Sequence, residues 1–472
     1  MSQDLVELTA VEQRRMIGAK EVSARELLDA HLARIEAVNA ALNAIVSLDP
    51  DVGRARAAAI DDAIARGDDP GPLAGLVTAH KDLTETADFP TSYGSPLFAD
   101  HRPAQDCLLV ARMKAAGAVA VGKTNSPEFG AGSHTFNRVY GTTRNPWGTD
   151  RSAGGSSGGA AVALTCRMVA TADGSDTGGS LRNPAAWNNV IGFRPSIRVV
   201  PRVGPGNAWM PLSTEGPMGR TVDDVALLFG VLAQRDDRDP MQIVLDVPDA
   251  IVPPDRPLRV AWSPDLGLPI EPEQLAVLAG ARTAMEGLGW TTVEATPDLP
   301  LASTSFRVLR AWNIANGITS AFSDRREEIK ATIQDEIRRG EALSQADVAA
   351  AYAGYNDCWL RTSAFFDDGY DLLACPVTQV APFPTEWEYP TEINGIALGN
   401  YIDWMEACWR ITTTGCPALS LPAGFDPAGL PVGVQLVARQ GRDLDLLRAA
   451  KALEEATGLA VRRPPVVAAV SS

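Results

Sequence analysis

The sequence is poor in the residues on which several kinds of functional site depend. Its 472 residues include only four histidines and six cysteines. All four histidines lie in the first third of the chain, and no two cysteines form a CxxC pair. A multi-histidine metal centre is therefore poorly supported, and we predict neither a metal nor a cofactor. The scattered cysteines are typical of reduced, mostly buried thiols in a cytoplasmic protein.

Positive charge is also scarce, because the chain has 42 basic and 58 acidic residues and a net charge of −16. Nucleic-acid affinity depends on clustered lysine and arginine, so this balance argues against a nucleic-acid partner. The N-terminus is too polar for a signal peptide, and no apolar run is long enough for a membrane span. We therefore expect a soluble protein with no membrane association.

Helical and strand-like patterns alternate along the chain. The first 70 residues contain two capping-box patterns, Thr9 to Glu12 and Ser23 to Glu26, each followed by apolar residues at helical spacing. The apolar run LAGLVTAHKDL, Leu73 to Leu83, predicts a buried strand, and the segment DCLLVARMKAAGAVAVGKTN predicts a helix followed by a strand. Residues 271–366 are mainly helical in pattern, and strand-like runs return after Cys416. This order indicates an α/β fold.

The most unusual composition lies between Arg151 and Ser180, where two loops rich in glycine and serine flank an apolar segment. Neither loop fits the phosphate-binding patterns GxxxxGK[ST] or GxGxxG, and neither contains a lysine. The residues GGSSG, from Gly154 to Gly158, match the nucleophile elbow GxSxG of α/β-hydrolases. That fold needs a histidine after the serine, and no histidine follows Ser156 in this chain. The elbow interpretation therefore fails.

A serine activated by a neutral lysine remains as an interpretation of these loops. Of the six lysines, Lys81 alone closes an apolar run, and we place the other five in polar or amphipathic stretches. Burial disfavours the ammonium form and so lowers the pKa of a lysine. Neighbouring residues of a strand face opposite sides, which keeps Asp82 away from Lys81. The alternative is that Lys81 pairs with Asp82 or extends to the surface.

Several motifs together resemble the amidase signature family. They include AHKD around Lys81, GKTNSPEF from Gly122, GGSSGG from Gly154, GSDTGGSLRNPAA from Gly174 and CPALSLPAGF from Cys416. The resemblance covers about residues 73–221 and the chain from residue 375 onward. Any one glycine cluster would be a weak signal, but the combination is highly specific.

The resemblance implies a Ser-cis-Ser-Lys triad of Lys81, Ser156 and Ser180. In this arrangement Ser180 is the nucleophile, Ser156 relays protons, and the Gly155–Ser156 peptide is cis. The resemblance further implies an oxyanion hole and a set of supporting side chains. The expected oxyanion hole comprises the backbone N–H groups of Thr177, Gly178, Gly179 and Ser180, and the expected supporting residues are Ser157, Asp176 and Arg182.

The resemblance also implies a single large α/β/α domain, residues 1–472, around a twisted mixed sheet. We divide it into N-terminal helices (1–70), a catalytic core (73–235), a variable and mostly helical substrate-shaping region (236–371) and the C-terminal part of the core (372–472). N-terminal helices of this family are often used in dimerisation, so a homodimer is one expectation. The sequence departs from the family pattern after the nucleophile, where Asn183, Trp187, Asn188 and Asn189 stand in place of smaller or apolar residues.

The ten tryptophans suggest what the substrate looks like, since several fall between Trp387 and Trp409. They either pack in the core or form an aromatic wall of the substrate pocket. On the second interpretation we assign Phe129, Gly130, Trp209, Trp404 and Trp409 to the pocket. The predicted function is hydrolysis of the C–N bond of small linear amides with hydrophobic or aryl substituents, through an acyl-enzyme on Ser180.

Three other functions stay open at this point. The same triad could cleave carbamates or esters, because these also pass through tetrahedral oxyanions. The chain could be the amidase-like component of a tRNA-dependent amidotransferase, although it has no evident basic stretch facing tRNA. A non-catalytic binding protein on this fold would have little need of Lys81, Ser156 and Ser180 together.

Overall fold

A mixed sheet of eight strands organises the fold. The protein is represented by a computed structural model, which describes residues 5–204, 209–322 and 324–470. Within these ranges the chain forms seventeen strands: β1 Ile45–Val46, β2 Val77–Lys81, β3 Val119–Thr124, β4 Phe136–Asn137, β5 Gly141–Thr142, β6 Arg144–Asn145, β7 Gly148–Ser152, β8 Ala172–Asp176, β9 Ile191–Arg194, β10 Thr214–Gly219, β11 Arg259–Trp262, β12 Thr291–Glu294, β13 Leu372–Pro376, β14 Glu392–Ile393, β15 Ile396–Ala397, β16 Ala418–Phe425 and β17 Pro431–Val437.

Helices cover the sheets and separate many of the strands. The described ranges contain fourteen α-helices: α1 Ala10–Gly18, α2 Ala24–Leu42, α3 Pro50–Arg66, α4 Leu108–Ala115, α5 Gly158–Thr165, α6 Arg182–Asn188, α7 Val222–Leu232, α8 Pro272–Gly287, α9 Ala302–Phe322, α10 Ala331–Glu341, α11 Gln345–Asp367, α12 Glu406–Thr412, α13 Asp443–Thr457 and α14 Pro465–Val470.

The large sheet has the strand order β12-β11-β13-β17-β16-β9-β10-β8. The pairs β12/β11 and β11/β13 are parallel, and the remaining pairs are antiparallel. A smaller sheet, β1-β3-β2, adjoins β8 through a bridge between Thr78 and Thr171. The predicted α/β fold around a mixed sheet is confirmed. The junction places the end of β2 next to the end of β8.

The N-terminal helices begin where the sequence predicts. Thr9 and Ser23 both form complete capping boxes, with Glu12 and Glu26 as their partners. Such a box satisfies N–H groups that the first turn of a helix leaves without a partner. The middle of the chain contains α8 to α11, in line with its helical pattern, and it also contributes β11 and β12 to one edge of the large sheet.

Side-chain alternation along β17 divides the helices between the two faces of the large sheet. Val434 and Leu436 belong to a hydrophobic cluster with residues of α7, α8 and α13. Gly433 and Gln435 point to the opposite face, where α6 lies. A Cβ on Gly433 would stand 2.8 Å from Ala186 Cβ, so the absence of a side chain lets α6 approach the sheet closely. This approach fixes the loop that precedes α6.

In the part of the chain that the structure describes, none of the helices combines the length and apolarity needed to cross a membrane.

Candidate active site

Lys81, the last residue of β2, lies at the junction of the two sheets and has no exposed surface (0 %). Its Nζ donates hydrogen bonds to Ser156 Oγ at 2.7 Å and to Ser157 Oγ at 2.9 Å. A third hydroxyl, Ser175 Oγ on β8, lies 3.1 Å from the same nitrogen. The predicted burial of Lys81 is confirmed, and the side chain contacts hydroxyl groups instead of extending to the surface.

The surroundings of Lys81 favour the neutral amine. Burial lowers its pKa from an ordinary value of 10.5 to about 7, because the ammonium ion loses its hydration. The carboxylates of Asp173, Asp176 and Glu215 act in the opposite direction, since they stabilise the positive charge. Burial outweighs them. A substantial fraction of Lys81 is therefore neutral near pH 7 and can accept a proton.

Two carboxylates near Lys81 differ in their relation to it. Asp82 follows the end of β2 and accepts a hydrogen bond from the backbone N–H of Ser92 at 3.0 Å, and it is not among the carboxylates that raise the pKa of Lys81. Asp173 on β8 accepts the backbone N–H of Lys81 at 3.3 Å, and its other oxygen lies 2.7 Å from His80 Nδ1. Asp173 ties β2 to β8. Its role was not predicted, because a pairing across 92 residues leaves no local spacing signal in the sequence.

Ser156 stands in the loop between β7 and α5, and the Gly155–Ser156 peptide is cis, as predicted. Two side chains of a neighbouring loop hold the backbone before it. Ser133 Oγ donates to the carbonyl of Gly155 at 2.6 Å, and Thr135 Oγ1 donates to the carbonyl of Gly154 at 2.7 Å. These two contacts were not predicted, because short polar side chains that bind backbone carbonyls are too common to stand out in a sequence.

Ser180 stands in the loop between β8 and α6. Its carbonyl oxygen accepts a hydrogen bond from the N–H of Ser157 at 3.1 Å, which joins the two serine-containing loops. The residue is partly exposed, and within the described ranges its Oγ has no hydrogen-bond partner. The structure therefore brings the Ser180 loop against the Ser156 loop and leaves the Ser180 hydroxyl open to a substrate.

Asp176 organises the loop that carries Ser180. It accepts hydrogen bonds from the N–H groups of Gly179 at 2.7 Å and Leu181 at 3.2 Å, and from Arg182 Nη2 at 2.9 Å. Arg182 Nη1 in turn donates to Gln435 Oε1 on β17 at 2.6 Å. Burial alone would raise the pKa of Asp176, but the Arg182 guanidinium lowers it well below its ordinary value. The ionised carboxylate thus ties the loop to the large sheet.

Backbone N–H groups of the same loop are available for an oxyanion. Among the residues that the structure describes, those of Thr177, Gly178 and Ser180 have no hydrogen-bond partner. Gly179 differs from the prediction, because its N–H already donates to the Asp176 carboxylate. The charge of Asp176 makes this a strong hydrogen bond. Three of the four predicted N–H groups are therefore free.

Phe129 and Gly130 lie in a loop next to Ser156. A Cβ on Gly130 would stand 3.4 Å from Ser156 Oγ, so this glycine borders Ser156 directly. Phe129 is half-buried and packs against Tyr93 and Phe98, with ring centroids 6.5 Å and 6.1 Å apart. The loop at residue 129 therefore reaches Ser156, and the aromatic ring of Phe129 belongs to the same loop.

The three tryptophans assigned to the pocket occupy different surroundings. Trp209 is 63 % exposed, whereas Trp404 and Trp409 have no exposed surface. Trp404 stacks on Trp187 at a centroid distance of 5.2 Å, and Trp409 stacks on Phe306 at 4.9 Å. These contacts favour the packing interpretation for Trp404.

Phe306, on α9 in the middle region, comes close to the loop of residues 177–180. A Cβ on Gly178 would stand 2.9 Å from Phe306 Cζ and 3.3 Å from Trp409 Cβ. The Phe306–Trp409 stack therefore lies against Gly178. The middle region was expected to shape the substrate pocket, but Phe306 was not singled out, since nothing in the sequence pattern distinguishes it from a core residue.

No group of three or more histidine, cysteine, aspartate or glutamate side chains within the described ranges is arranged to hold a metal ion.

A buried lysine that donates to serine hydroxyls, beside a glycine-rich loop with an open serine, is the arrangement of a serine hydrolase that uses lysine in place of histidine. Comparison with known proteins agrees with this class. The sequence profile of the amidase family matches residues 26–447. The chain belongs to the amidase family, and it is an amidase that hydrolyses linear amides.

Individual relatives match over almost their whole length. An acylamidase of Rhodococcus erythropolis is 35 % identical over 474 residues, which cover 98 % of each chain. A glutamyl-tRNA(Gln) amidotransferase component of Moorella thermoacetica is 35 % identical over 491 residues, 98 % of this chain and 99 % of that protein. Among solved structures, a bacterial aryl acylamidase of the amidase signature family superposes with a TM-score of 0.90 at 29 % identity, covering 97 % and 99 % of the two chains.

Proposed function

We propose that the protein hydrolyses amides with an aryl or hydrophobic portion through an acyl-enzyme on Ser180, with Lys81 as base and Ser156 as relay. The observation that carries this proposal is the 2.7 Å hydrogen bond between Lys81 Nζ and Ser156 Oγ. It joins a buried amine to a hydroxyl in the loop that contacts the Ser180 loop. A charged lysine could only stabilise negative charge, but a lysine with a pKa of about 7 can also remove a proton.

Acylation begins when Ser180 Oγ attacks the amide carbonyl carbon. The Ser180 proton passes to Ser156, and the Ser156 proton passes to Lys81 Nζ. The carbonyl oxygen becomes an oxyanion, which accepts hydrogen bonds from free N–H groups of the 177–180 loop. Lys81 then returns a proton through Ser156 to the amide nitrogen, the C–N bond breaks, and the amine leaves.

Deacylation repeats the sequence with water as the nucleophile. Ser156 and Lys81 take a proton from the water as its oxygen attacks the ester carbon on Ser180. When the second tetrahedral intermediate collapses, the proton returns to Ser180 Oγ and the carboxylic acid product departs. No net proton is lost from the three residues.

The preference for aryl or hydrophobic substituents is supported by two observations. The relatives include an acylamidase and an aryl acylamidase. Aromatic rings also flank the serine loops on two sides, with Phe129 next to Gly130 and Phe306 next to Gly178. Carbamate and ester hydrolysis on the same residues is the alternative, because both substrates form comparable oxyanions.

The amidotransferase alternative is supported by the amidotransferase component of Moorella thermoacetica, which is as similar to this chain (35 % identical) as the acylamidase is. The two functions differ in whether the chain works alone. A free amidase turns over simple amides after purification, whereas a transferase component needs its partners. The net charge of −16 favours the free enzyme, since it leaves little basic surface for tRNA.

The purified chain should therefore be assayed on a panel of anilides, primary amides, esters and carbamates. We expect anilides to be cleaved by the wild type, and Ser180→Ala to lose roughly 10³-fold or more in kcat while staying folded. A fluorophosphonate should label Ser180 alone, as seen by intact mass and peptide mapping. Labelling of Ser156 would overturn the assignment of the nucleophile, and inactivity of the lone chain on every amide would overturn the free amidase.

The expected homodimer stays a prediction of the family resemblance. Light scattering after size-exclusion chromatography gives the mass directly, and 50.0 kDa for the species in solution would exclude the dimer.

A further inference from the structure

A polar cavity adjoins Lys81, the proposed base. Its volume is about 170 Å³, and its lining includes Ser175 and Ser213. Ser175 Oγ is a hydrogen-bond partner of Lys81 Nζ, and Ser213 Oγ accepts a hydrogen bond from Thr177 Oγ1 at 3.1 Å. The cavity therefore borders both the proposed base and the oxyanion loop. None of the proposed catalytic steps uses it.

Arg198 lines this cavity and is only 6 % exposed. Its Nη1 lies 3.6 Å from Asp239 Oδ2, but its buried Nη2 has no hydrogen-bond acceptor among the described residues. A buried guanidinium N–H without an acceptor is costly. The backbone of Arg198 has a φ of +75°, a conformation that is unfavourable for a residue with a side chain and that is found at functional sites.

A second guanidinium reaches the same cavity. Arg202 lines it and is exposed to solvent, so a ligand can approach it from outside. Its backbone N–H donates to Asp239 Oδ2 at 2.8 Å, the same oxygen that pairs with Arg198. One buried carboxylate thus anchors both arginines. This shared support holds the backbone of Arg202 next to the guanidinium of Arg198.

The cavity also contains one carboxylate, that of Glu215. The two arginines outnumber it among the lining residues, and Asp239 behind the lining offsets part of the charge of Arg198. Hydroxyls of Ser175 and Ser213 complete the lining with further hydrogen-bond donors. Guanidiniums and hydroxyls are the groups that bind a carboxylate, and two arginines match its two oxygens.

We propose that this cavity is a subsite for a carboxylate group carried by the amide substrate, bound by Arg198 and Arg202. The inference rests on the proposed amide hydrolysis, because the subsite selects among substrates of that reaction. The bound carboxylate accepts hydrogen bonds from the two arginines, and it fixes the substrate next to Lys81.

Matched substrate pairs test the subsite. 4-Acetamidobenzoate carries its carboxylate on the amine portion, and 4-nitroacetanilide is its uncharged analogue of similar shape. Succinic acid monoanilide carries the carboxylate on the acyl portion, and pentanoic acid anilide is the uncharged counterpart. The measured quantity is kcat/KM for the carboxylate substrate divided by kcat/KM for its analogue. Differences in chemical reactivity cancel when this ratio is compared between protein variants.

Arg202→Gln is the main variant, because an exposed side chain can be replaced with little effect on folding. Arg198→Asn is the second, since asparagine tolerates a positive φ. Each should lower the ratio by roughly tenfold or more for at least one substrate pair, the loss expected for a hydrogen bond to a charged group. Arg54→Gln removes the same charge from an exposed residue that pairs with Asp51 on α3 and serves as the control.

An unchanged ratio in Arg202→Gln for both pairs would overturn the subsite, and so would an equal loss in Arg54→Gln. Failure of the proposed function is distinguishable, because the wild type would then cleave neither neutral anilide. In that case the subsite is tested by ligand binding instead of by hydrolysis. Ser180→Ala and the double variant Ser180→Ala/Arg202→Gln are each titrated by calorimetry with 4-acetamidobenzoate and with succinic acid monoanilide. The double variant should bind at least one of the two ligands with a Kd at least tenfold weaker. If the two variants have the same Kd for each ligand, the subsite is overturned.

Discussion

Two buried lysines on neighbouring strands have different roles. Lys81 ends β2, and Lys123 lies on β3 opposite His80. Neither has any exposed surface. Burial lowers the pKa of Lys81 to about 7 and that of Lys123 to about 8. Burial therefore produces a partly neutral amine at both positions.

The partners of the two amines make the difference. Lys81 Nζ donates to the hydroxyls of Ser156 and Ser157. Lys123 Nζ donates to the backbone carbonyl of Thr84 and, at 2.9 Å, to Thr91 Oγ1. The contacts of Lys81 lead to the loop of Ser180, and those of Lys123 stabilise the chain after β2. A buried lysine becomes a candidate base only where its neighbours can carry the proton to a substrate.

The largest expected effect is the difference in activity between substitutions of these two lysines. Lys81→Ala should lose roughly 10³-fold or more in kcat, because it removes the proposed acceptor of the Ser156 proton. Lys123→Ala should mainly lower Tm, since it removes a buried side chain that binds two loop oxygens. Steady-state assays on an anilide and thermal unfolding of both variants measure the two effects. Comparable losses of kcat in the two folded variants would mean that location beside the serines is not decisive.

A second substitution tests the route from Lys81 to the nucleophile. Ser156→Ala should be severely impaired, by roughly 10²-fold or more in kcat, but less than Ser180→Ala, because water can partly replace the relay hydroxyl. Ser175→Ala is the matched control, since its hydroxyl also contacts Lys81 but is not part of the proposed proton route. It should lose less than Ser156→Ala. Wild-type activity of Ser156→Ala would remove the relay from the mechanism.

The smallest expected effect is on substrate preference, and it distinguishes two tryptophans that are equally buried. Trp409 lies against Gly178 of the oxyanion loop, whereas Trp404 packs on Trp187. Trp409→Ala should raise KM for anilides more than for acetamide, and Trp404→Ala should chiefly lower Tm, at a cost of about 3–5 kcal/mol. Assays of both substrates and thermal unfolding distinguish the outcomes. A uniform loss on both substrates in both variants would assign both rings to packing alone.

Features set by short stretches of sequence were predictable. Three such features depend on neighbouring residues: the glycine and serine loops around Ser156 and Ser180, the two N-terminal capping boxes, and the buried strand predicted for Leu73 to Leu83, of which the structure forms Val77–Lys81. Their motifs therefore carry the signal, and the α/β order follows from hydrophobic periodicity. The family resemblance supplied the triad itself, which no single motif would have defined.

Features set by contacts between distant segments were not predictable. Placing Lys123 among lysines of polar or amphipathic stretches was wrong, because β3 lies between β1 and β2 in its sheet and buries the residue after the run AVAVG. Asp173 and Glu215 act on Lys81 from β8 and β10, and Phe306 reaches Gly178 from α9. These contacts arise only when strands and helices far apart in the chain pack together.

The pH dependence of kcat/KM tests most directly that Lys81 works as a neutral base. Only the unprotonated amine accepts a proton, so kcat/KM should rise with pH and reach a plateau above the Lys81 pKa of about 7. In Lys123→Ala the rise should keep its midpoint. In Glu215→Gln it should persist and move to lower pH, because the Glu215 carboxylate raises the pKa of Lys81. A flat wild-type profile across this range, or near-wild-type activity of Lys81→Arg, whose guanidinium stays protonated, would contradict the account.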